Sequence, residues 1–142
     1  MPARPPVEVA AALVFRDGRL LIAQRPPGKH LAGLWEFPGG KREPDETWEA
    51  CLRREIREEL DCDVEVGECL AEIGHDYPEK SVLLRFHVCR LQDGEPRAVG
   101  CAAVAWVTRE GLARHEFPPA DAALLARLQA MPWPDAPPAD RP

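Results

Sequence analysis

Two apolar segments near the start of the chain have the pattern of neighbouring β-strands. Residues 7–15 (VEVAAALVF) and 19–24 (RLLIAQ) are rich in residues that favour extended backbone. The dipeptide Asp17-Gly18 lies between them and is typical of a tight hairpin turn, because both residues tolerate a positive φ. We therefore predict an antiparallel hairpin at the beginning of the fold.

The remaining pattern predicts one long helix among further strands. Residues 47–60 (TWEACLRREIREEL) contain neither Gly nor Pro, and Asp45 or Thr47 can cap their start. Glycine and proline mark residues 25–41 as a loop. The other predicted elements are strands at 64–74, 81–91 and 99–107, a turn at Asp93-Gly94, a short helix at 108–114 and a last helix at 120–130. This order predicts an α+β fold, or an α/β/α sandwich on a mixed sheet.

Length and composition indicate one globular domain. The chain has 142 residues, of which 45% are hydrophobic and 30% charged. We assign residues 1–131 to the domain and residues 132–142 (PWPDAPPADRP) to a proline-rich tail that we expect to be disordered. No apolar run approaches the roughly 18 residues that a membrane span needs, and Glu8 interrupts the N-terminal apolar stretch. A cytoplasmic protein without membrane contact is expected.

The cysteines and histidines give no sign of a disulfide framework or a zinc site. The five cysteines are odd in number and show no C-x-x-C spacing, and the four histidines are scattered. Reduced thiols, several of them in the core, are expected of an intracellular protein.

The acidic residues are concentrated in one segment. Formal net charge is −6, and residues 36–68 alone hold 12 of the 24 acidic and 5 of the 18 basic residues, a local balance of −7. Such a surface disfavours sequence-independent binding to a nucleic acid polymer. It can bind a small phosphorylated ligand if divalent cations separate the two sets of negative charge. A solvated helix face is the alternative.

The helical wheel of residues 47–60 separates these two interpretations. At 100° per residue, one stripe holds Trp48, Leu52, Ile56 and Leu60. Glu59 falls inside that stripe, Glu55 at its edge and Glu58 beside it. Unpaired burial of a carboxylate is costly, so a positive group must compensate.

Arginine or a metal ion can supply that positive charge. Arg54 reaches Glu58 at i,i+4, whereas Arg53 and Arg57 lie away from the carboxylates, and such helix pairs contribute only about 0.3–0.5 kcal/mol each. Hard divalent cations such as Mg²⁺ collect carboxylate oxygens and explain the arrangement better.

The same residues resemble the Nudix hydrolase signature, G-x5-E-x7-R-E-U-x-E-E-x-G-U, where U is a bulky aliphatic residue. The matching residues are Gly40, Glu46, Arg54, Glu55, Ile56, Glu58 and Glu59, whereas Asp61 and Cys62 depart from the last Gly and the last aliphatic position. The segments LAGLWEFPGGK (31–41) and FPPAD (117–121) are similar to those of the MutT-type branch. This resemblance implies the Nudix fold, an α/β/α sandwich on a mixed sheet.

The resemblance also implies a reaction. MutT-type enzymes hydrolyse nucleoside triphosphates such as 8-oxo-dGTP to nucleoside monophosphate and pyrophosphate, with Mg²⁺ or, in its place, Mn²⁺. Carried over residue by residue, Glu55, Glu58, Glu59 and the carbonyl of Gly39 would hold the metal. Glu55 would orient or deprotonate water, Arg54 would anchor the carboxylates, and Glu46 would pair with Arg54 or join the outer metal shell. The Gly39-Gly40 pair would let the loop backbone approach the metal closely.

Substrate contacts are expected from five further residues. Arg25, Lys41 and Lys80 would contact phosphates, Tyr77 would stack on the base, and Asp121 would recognise the base. The 8-oxo-dGTPases of the MutT type have Asn at the position of Asp121, whereas related enzymes acting on CTP and modified cytosine nucleotides carry Ala-Asp. An ionised Asp accepts hydrogen bonds from the N–H groups at guanine N1 and N2 or at cytosine N4, so both bases stay open. Helix N-terminal charge is the alternative role of Asp121.

One departure affects the site outside the signature. MutT-type enzymes often carry another Glu at the position of Gly100, and Glu95 or Asp76 would have to replace it unless Glu55 suffices as base. A small-molecule nucleotide is the expected partner of a monomer or homodimer. The competing hypotheses are hydrolysis of ADP-ribose or dinucleoside polyphosphates, and a non-catalytic Nudix module that binds nucleotides or DNA lesions.

Overall fold

The computed structural model describes residues 5–134, and the strands of this part form one mixed sheet. The strands are β1 (Val7–Arg16), β2 (Arg19–Gln24), β3 (Trp35–Glu36), β4 (Gly39–Lys41), β5 (Asp63–Asp76), β6 (Ser81–Asp93) and β7 (Ala103–Val107). The helices are α1 (Trp48–Leu60), α2 (Arg109–Leu112) and α3 (Ala122–Ala130), and a 3-10 turn at Pro119–Asp121 leads into α3.

Strand β1 changes partners along its length. The sheet order is β3-β2-β1-β6-β5, with β1 parallel to β6 and the other pairs antiparallel. The end of β1 pairs with β2, and its first half pairs with β4, where Ala10 lies opposite Gly40 and Ala11 opposite Gly39. β7 pairs with β2. The predicted mixed sheet is confirmed, and the Gly39-Gly40 backbone is fixed at its centre.

Alternate residues of β1 face two different cores. Ala10, Ala12 and Val14 pack with the buried face of α1, and Ala11, Leu13 and Phe15 pack with α2 and α3. Helices therefore cover both faces of the sheet, as the predicted α/β/α sandwich requires. The stripe read from the helical wheel is confirmed, because Leu52, Ile56 and Leu60 are fully buried and Trp48 packs at their margin.

Both ends of α1 are capped. The Thr47 hydroxyl accepts a hydrogen bond from the amide of Ala50 at 3.0 Å, so Thr47 is the N-cap and Asp45 is not. Asp61 adopts the left-handed conformation (φ 54°) that usually selects Gly at a helix end. A salt bridge of 2.7 Å from Arg97 holds its side chain, and the departure from the signature Gly is accommodated.

Two predicted elements differ from the structure. The predicted loop 25–41 contains the short strands β3 and β4, which propensity misses because glycine and proline surround them. The predicted strand 99–107 begins only at Ala103. The amides of Val99 and Gly100 bind the carbonyl of Glu59 at the end of α1, so they do not extend the sheet.

The packed part of the chain extends into the segment predicted as a tail. Trp133 is buried against Phe15, and its indole N–H donates to the Leu128 carbonyl at 2.8 Å. The rest of that predicted tail, residues 135–142, lies outside the described residues. Within residues 5–134, no helix is long and apolar enough to cross a membrane.

The thiols of the five cysteines are free. Burial raises the pKa of Cys51 and Cys62 to about 11 and that of Cys89 to about 12. Cysteines in such surroundings stay protonated and behave as small core residues, as the spacing predicted.

Candidate active site

The signature places a row of carboxylates against a glycine pair. Helix α1 lies against β4, and a Cβ atom built on Gly40 would come 2.3 Å from the carboxylate carbon of Glu55. One built on Gly39 would come 2.0 Å from the carbonyl oxygen of Ala10. Glycine is therefore required at position 39, where the clash is with backbone, whereas a side chain at position 40 would force the Glu55 carboxylate to move. The expected approach of this backbone to a metal ion stays a prediction.

Arg54 joins three of the carboxylates. Its guanidinium donates to both oxygens of Glu46 at 2.5 and 2.9 Å, to Glu55 at 2.8 Å and to Glu58 at 3.4 Å. Another N–H donates to the carbonyl of Lys41 at 3.1 Å. These hydrogen bonds lower the pKa of Glu46 to about 2 and raise the pKa of Arg54 above its ordinary value. The expected pairing of Arg54 with Glu46 is present.

Glu59 stands apart from this network. Among residues 5–134 it takes part in no salt bridge, and its Oε1 atom is buried with no hydrogen-bond partner. Burial, reinforced by the negative charges of Glu36 and Glu55, raises the pKa of Glu59 to about 8. Burial also raises the pKa of Glu55, against the opposing effect of Arg54. The wheel therefore identified a buried carboxylate correctly, and no arginine of residues 5–134 pairs with it.

This donor set fits a hard divalent cation. Carboxylate oxygens are the ligands that Mg²⁺ prefers, and the Oε1 atom of Glu59 is a buried acceptor that finds no hydrogen-bond partner in the part of the chain that the structure describes. Within the described part of the chain, no three His, Cys, Asp or Glu side chains already converge as a ready-made metal site. Arg54 draws Glu55 and Glu58 toward Glu46, so binding of a cation would require their carboxylates to turn.

A cavity of about 730 Å³ opens beside these carboxylates. Glu55, Glu59 and the Gly39-Gly40 backbone line one part of it. The apolar wall comes from β1, β6 and the residue that follows β3, and its members are Val9, Ala10, Ala11, Phe37, Val82, Leu84 and Phe86. Phe37 stacks on Phe117 at 5.1 Å and meets Phe86 edge-on, so it is both core and cavity wall.

Asp121 lies in the same cavity. Its residue is only 8% exposed, and its side chain makes no capping hydrogen bond to α3. Burial, together with the charge of Glu36, raises the pKa of Asp121 to about 6. The Asp121 side chain therefore does not cap α3, whereas its place in the first turn still suits the charge role at the helix N-terminus.

The residues predicted to contact phosphate and base all line the cavity, but they differ in whether other protein groups already bind their side chains. Lys41 and Lys80 are exposed at its edge, and Tyr77 is 38% exposed and packs edge-on against His75. Arg25 also lines it, but its guanidinium already donates to Glu36 and to the His30 carbonyl, each at 2.7 Å. The two lysines are thus the freer cations.

Glu36 is a cavity residue that the sequence analysis missed. It is half-buried, pairs with Arg25, and burial raises its pKa. Little in the sequence indicates this residue, because a strand of two residues shows no alternation of apolar and polar positions. Only its position between Trp35 and Phe37 distinguished it.

Three residues considered outside the signature do not line the cavity. Glu95 is paired through both oxygens with Arg16 at 2.9 Å, and Asp76 accepts a hydrogen bond from Ser81. Gly100 packs against the backbone of Glu59. Neither acidic residue is placed to replace a missing loop glutamate, which leaves Glu55 as the candidate base.

Comparison with known proteins agrees with this geometry. A sequence model described as "NUDIX domain" matches residues 9–127. This chain belongs to the Nudix hydrolase family. Nudix hydrolases generally use divalent metal cations, which is consistent with the carboxylates on α1.

Two curated relatives and one solved structure show the range of similar Nudix proteins. The CTP pyrophosphohydrolase of Escherichia coli (strain K12) is 40% identical and aligns with 88% of this chain and 93% of its own. The 8-oxo-dGTP diphosphatase of Haemophilus influenzae is 33% identical over 86% of this chain and 90% of its own. A MutT NUDIX hydrolase from Burkholderia pseudomallei superposes with a TM-score of 0.78 at 28% identity, covering 88% and 99%.

Proposed function

We propose that this Nudix protein hydrolyses nucleoside triphosphates to nucleoside monophosphate and pyrophosphate with Mg²⁺ as its cation. The observation that carries the proposal is the single cavity that joins Glu55 and Glu59 to the buried Asp121 across an apolar wall. That layout suits a ligand with a polyphosphate at one end and a base at the other.

The metal would be held by Glu55, Glu58, Glu59 and the Gly39 carbonyl, and it would supply charge neutralisation for the polyphosphate. Glu55 would orient the attacking water and receive its proton. The new bond joins the water oxygen to phosphorus, and the bond to the bridging oxygen breaks as the second product leaves. Arg54 would stay anchored to Glu46 through its hydrogen bonds of 2.5 and 2.9 Å, and Lys41 and Lys80 would contact phosphate oxygens.

The choice of base rests on Asp121. As an ionised acceptor it suits guanine N1 and N2, which supports modified purine nucleotides such as 8-oxo-dGTP. It suits cytosine N4 equally well. The 40% identity to a CTP pyrophosphohydrolase favours CTP or a modified dCTP as the second candidate substrate.

The test is a panel of 8-oxo-dGTP, dGTP, dCTP, 5-methyl-dCTP, CTP and ADP-ribose, compared by kcat/KM with release of the nucleoside monophosphate as the readout, because ADP-ribose yields AMP but no pyrophosphate. We expect a triphosphate to exceed ADP-ribose by at least about tenfold, a difference of about 1.4 kcal/mol in transition-state stabilisation, and EDTA to abolish turnover. A strong preference for ADP-ribose would refute the proposal.

Glu58→Gln in the same assay tests the metal-binding role. Glu58 is largely exposed, so the variant should fold normally but lose activity by orders of magnitude. Glu49→Gln, in the first turn of the same helix and away from the cavity, is the matched control.

A further inference from the structure

The loop between β6 and β7 donates three backbone hydrogen bonds to carbonyls of the last turn of α1. In this clamp loop (residues 94–100), the Arg97 amide donates to the Leu60 carbonyl at 2.9 Å. The amides of Val99 and Gly100 both donate to the carbonyl of Glu59, at 3.0 and 2.9 Å. The last carbonyls of a helix lack partners within it, and here a distant segment supplies them.

The clamp loop is itself held at several points. Both carboxylate oxygens of Glu95 accept hydrogen bonds from the Arg16 guanidinium. That guanidinium also lies 4.2 Å from the centre of the Trp106 ring. Arg97 pairs with Asp61 at 2.7 Å, just beyond the helix end. Because these contacts reach β1, β7 and the C-cap of α1, the loop can hold the backbone of Glu59 at a fixed place in the fold.

Gly100 makes the tightest part of this contact. A Cβ built there would come 3.3 Å from the Cα of Glu59 and 3.5 Å from its Cγ. The first distance is closer than ordinary van der Waals contact, so a side chain at position 100 requires Glu59 or the loop to move by a few tenths of an ångström. The backbone angles of Gly100 are not in the left-handed region, so packing is the constraint there.

We propose that Gly100 is a positioning residue for Glu59, and that the clamp loop thereby sets the affinity of the carboxylate site for a divalent cation. The inference rests on the proposed function, since it assumes that Glu59 binds the cation. Substitution of a residue that orients a metal ligand typically weakens metal binding about 10–100-fold.

The test compares Mn²⁺ binding to the full chain without nucleotide, by electron paramagnetic resonance, in the wild type, Gly100→Ala and Gly74→Ala. Gly74 is the matched control, because a Cβ there meets no atom within 4 Å. We expect the dissociation constant to rise about tenfold in Gly100→Ala and to stay unchanged in Gly74→Ala. The melting temperature in EDTA should stay near the wild-type value in both, which separates positioning from a general loss of stability.

Equal Mn²⁺ affinity in folded Gly100→Ala and wild type would overturn the inference. A wild type that binds no Mn²⁺ would instead refute the proposed function. If Gly100→Ala fails to fold, amide hydrogen exchange in the wild type, with and without Mg²⁺, tests the inference instead. Coupling between loop and site is reciprocal, so saturating Mg²⁺ must slow exchange at the Val99 and Gly100 amides, and unchanged rates there would also overturn it.

Discussion

Glu59 shows how much a single position can reveal. The helical wheel placed its carboxylate on the buried side of α1, and the structure confirms a buried oxygen without a partner. Arg54 could be assigned to Glu46 from the signature, but its reach to Glu55 and Glu58 as well depends on three-dimensional placement. Glu36 escaped notice because its charge becomes meaningful only after the fold brings Arg25 and Asp121 near it.

Gly40→Ala tests the close approach of β4 to α1. The added methyl would overlap the Glu55 carboxylate at 2.3 Å, so that carboxylate must move. We expect activity to fall by orders of magnitude, measured as kcat/KM on the best substrate of the panel, while Gly74→Ala retains it. Full activity in Gly40→Ala would mean that the position of Glu55 does not matter for the reaction.

Asp121→Asn should change how stability depends on pH. The pKa of Asp121 is about 6 in the folded state and about 3.8 when unfolded, so the folded state holds the proton more tightly. The contribution of the Asp121 carboxyl to the free energy of unfolding is complete below pH 3.8, and it is lost as the pH rises through 6. The neutral amide of the variant avoids that loss.

The measurement is the melting temperature of both proteins between pH 4 and pH 7.5. Asp121→Asn should melt higher than the wild type near pH 7, and the difference should shrink toward pH 4. Asp45→Asn, at an exposed position, is the control, and its melting temperature should depend on pH as that of the wild type does. Parallel curves for wild type and Asp121→Asn would mean that burial does not shift the titration of this carboxylate.

Helix α1 and the strands around it differ in how far local sequence determines them. The helix, β1 and β2 follow from uninterrupted patterns, and their bounds were predicted within a residue or so. β3 and β4 are too short for a pattern and exist because β1 and β2 offer free edges to them. Val99 and Gly100 fall in a segment of strand composition, yet their hydrogen bonds to the end of α1 outweigh that preference.

Thr47→Ala tests the start of α1. Loss of the hydroxyl leaves the Ala50 amide without its 3.0 Å partner, and an N-cap of this kind contributes about 1 kcal/mol. We expect the free energy of unfolding in urea to fall by about that amount. Thr47→Ser keeps the oxygen and should retain most of the stability, so equal losses in both variants would contradict the capping role.

At the scale of the whole molecule, the sandwich was predictable but its closing contact was not. Composition and proline content ended the predicted domain at residue 131. Trp133 nevertheless completes the core on the α3 side, because Phe15 and the carbonyl of Leu128 receive its ring and its indole N–H. Arg109 lies over the same ring at 4.9 Å.

Trp133→Ala tests that contact. Removing a buried Trp costs about 3–5 kcal/mol, and we expect the free energy of unfolding in urea to fall by a similar amount. Trp133→Phe keeps the aromatic packing and loses only the indole N–H, so it should recover most of the difference. A change below about 1 kcal/mol in the alanine variant would mean that Trp133 is dispensable for the core.

The claim that joins these scales is that the acidic flank of α1 binds a divalent cation beside a nucleotide. Anomalous diffraction from crystals soaked with Mn²⁺ and a non-hydrolysable triphosphate tests it most directly. We predict an anomalous peak within bonding distance of Glu55, Glu58 and Glu59, with Arg54 still paired to Glu46. Crystals that contain the nucleotide but show no peak there, with Glu55 and Glu58 still bound to Arg54, would contradict it.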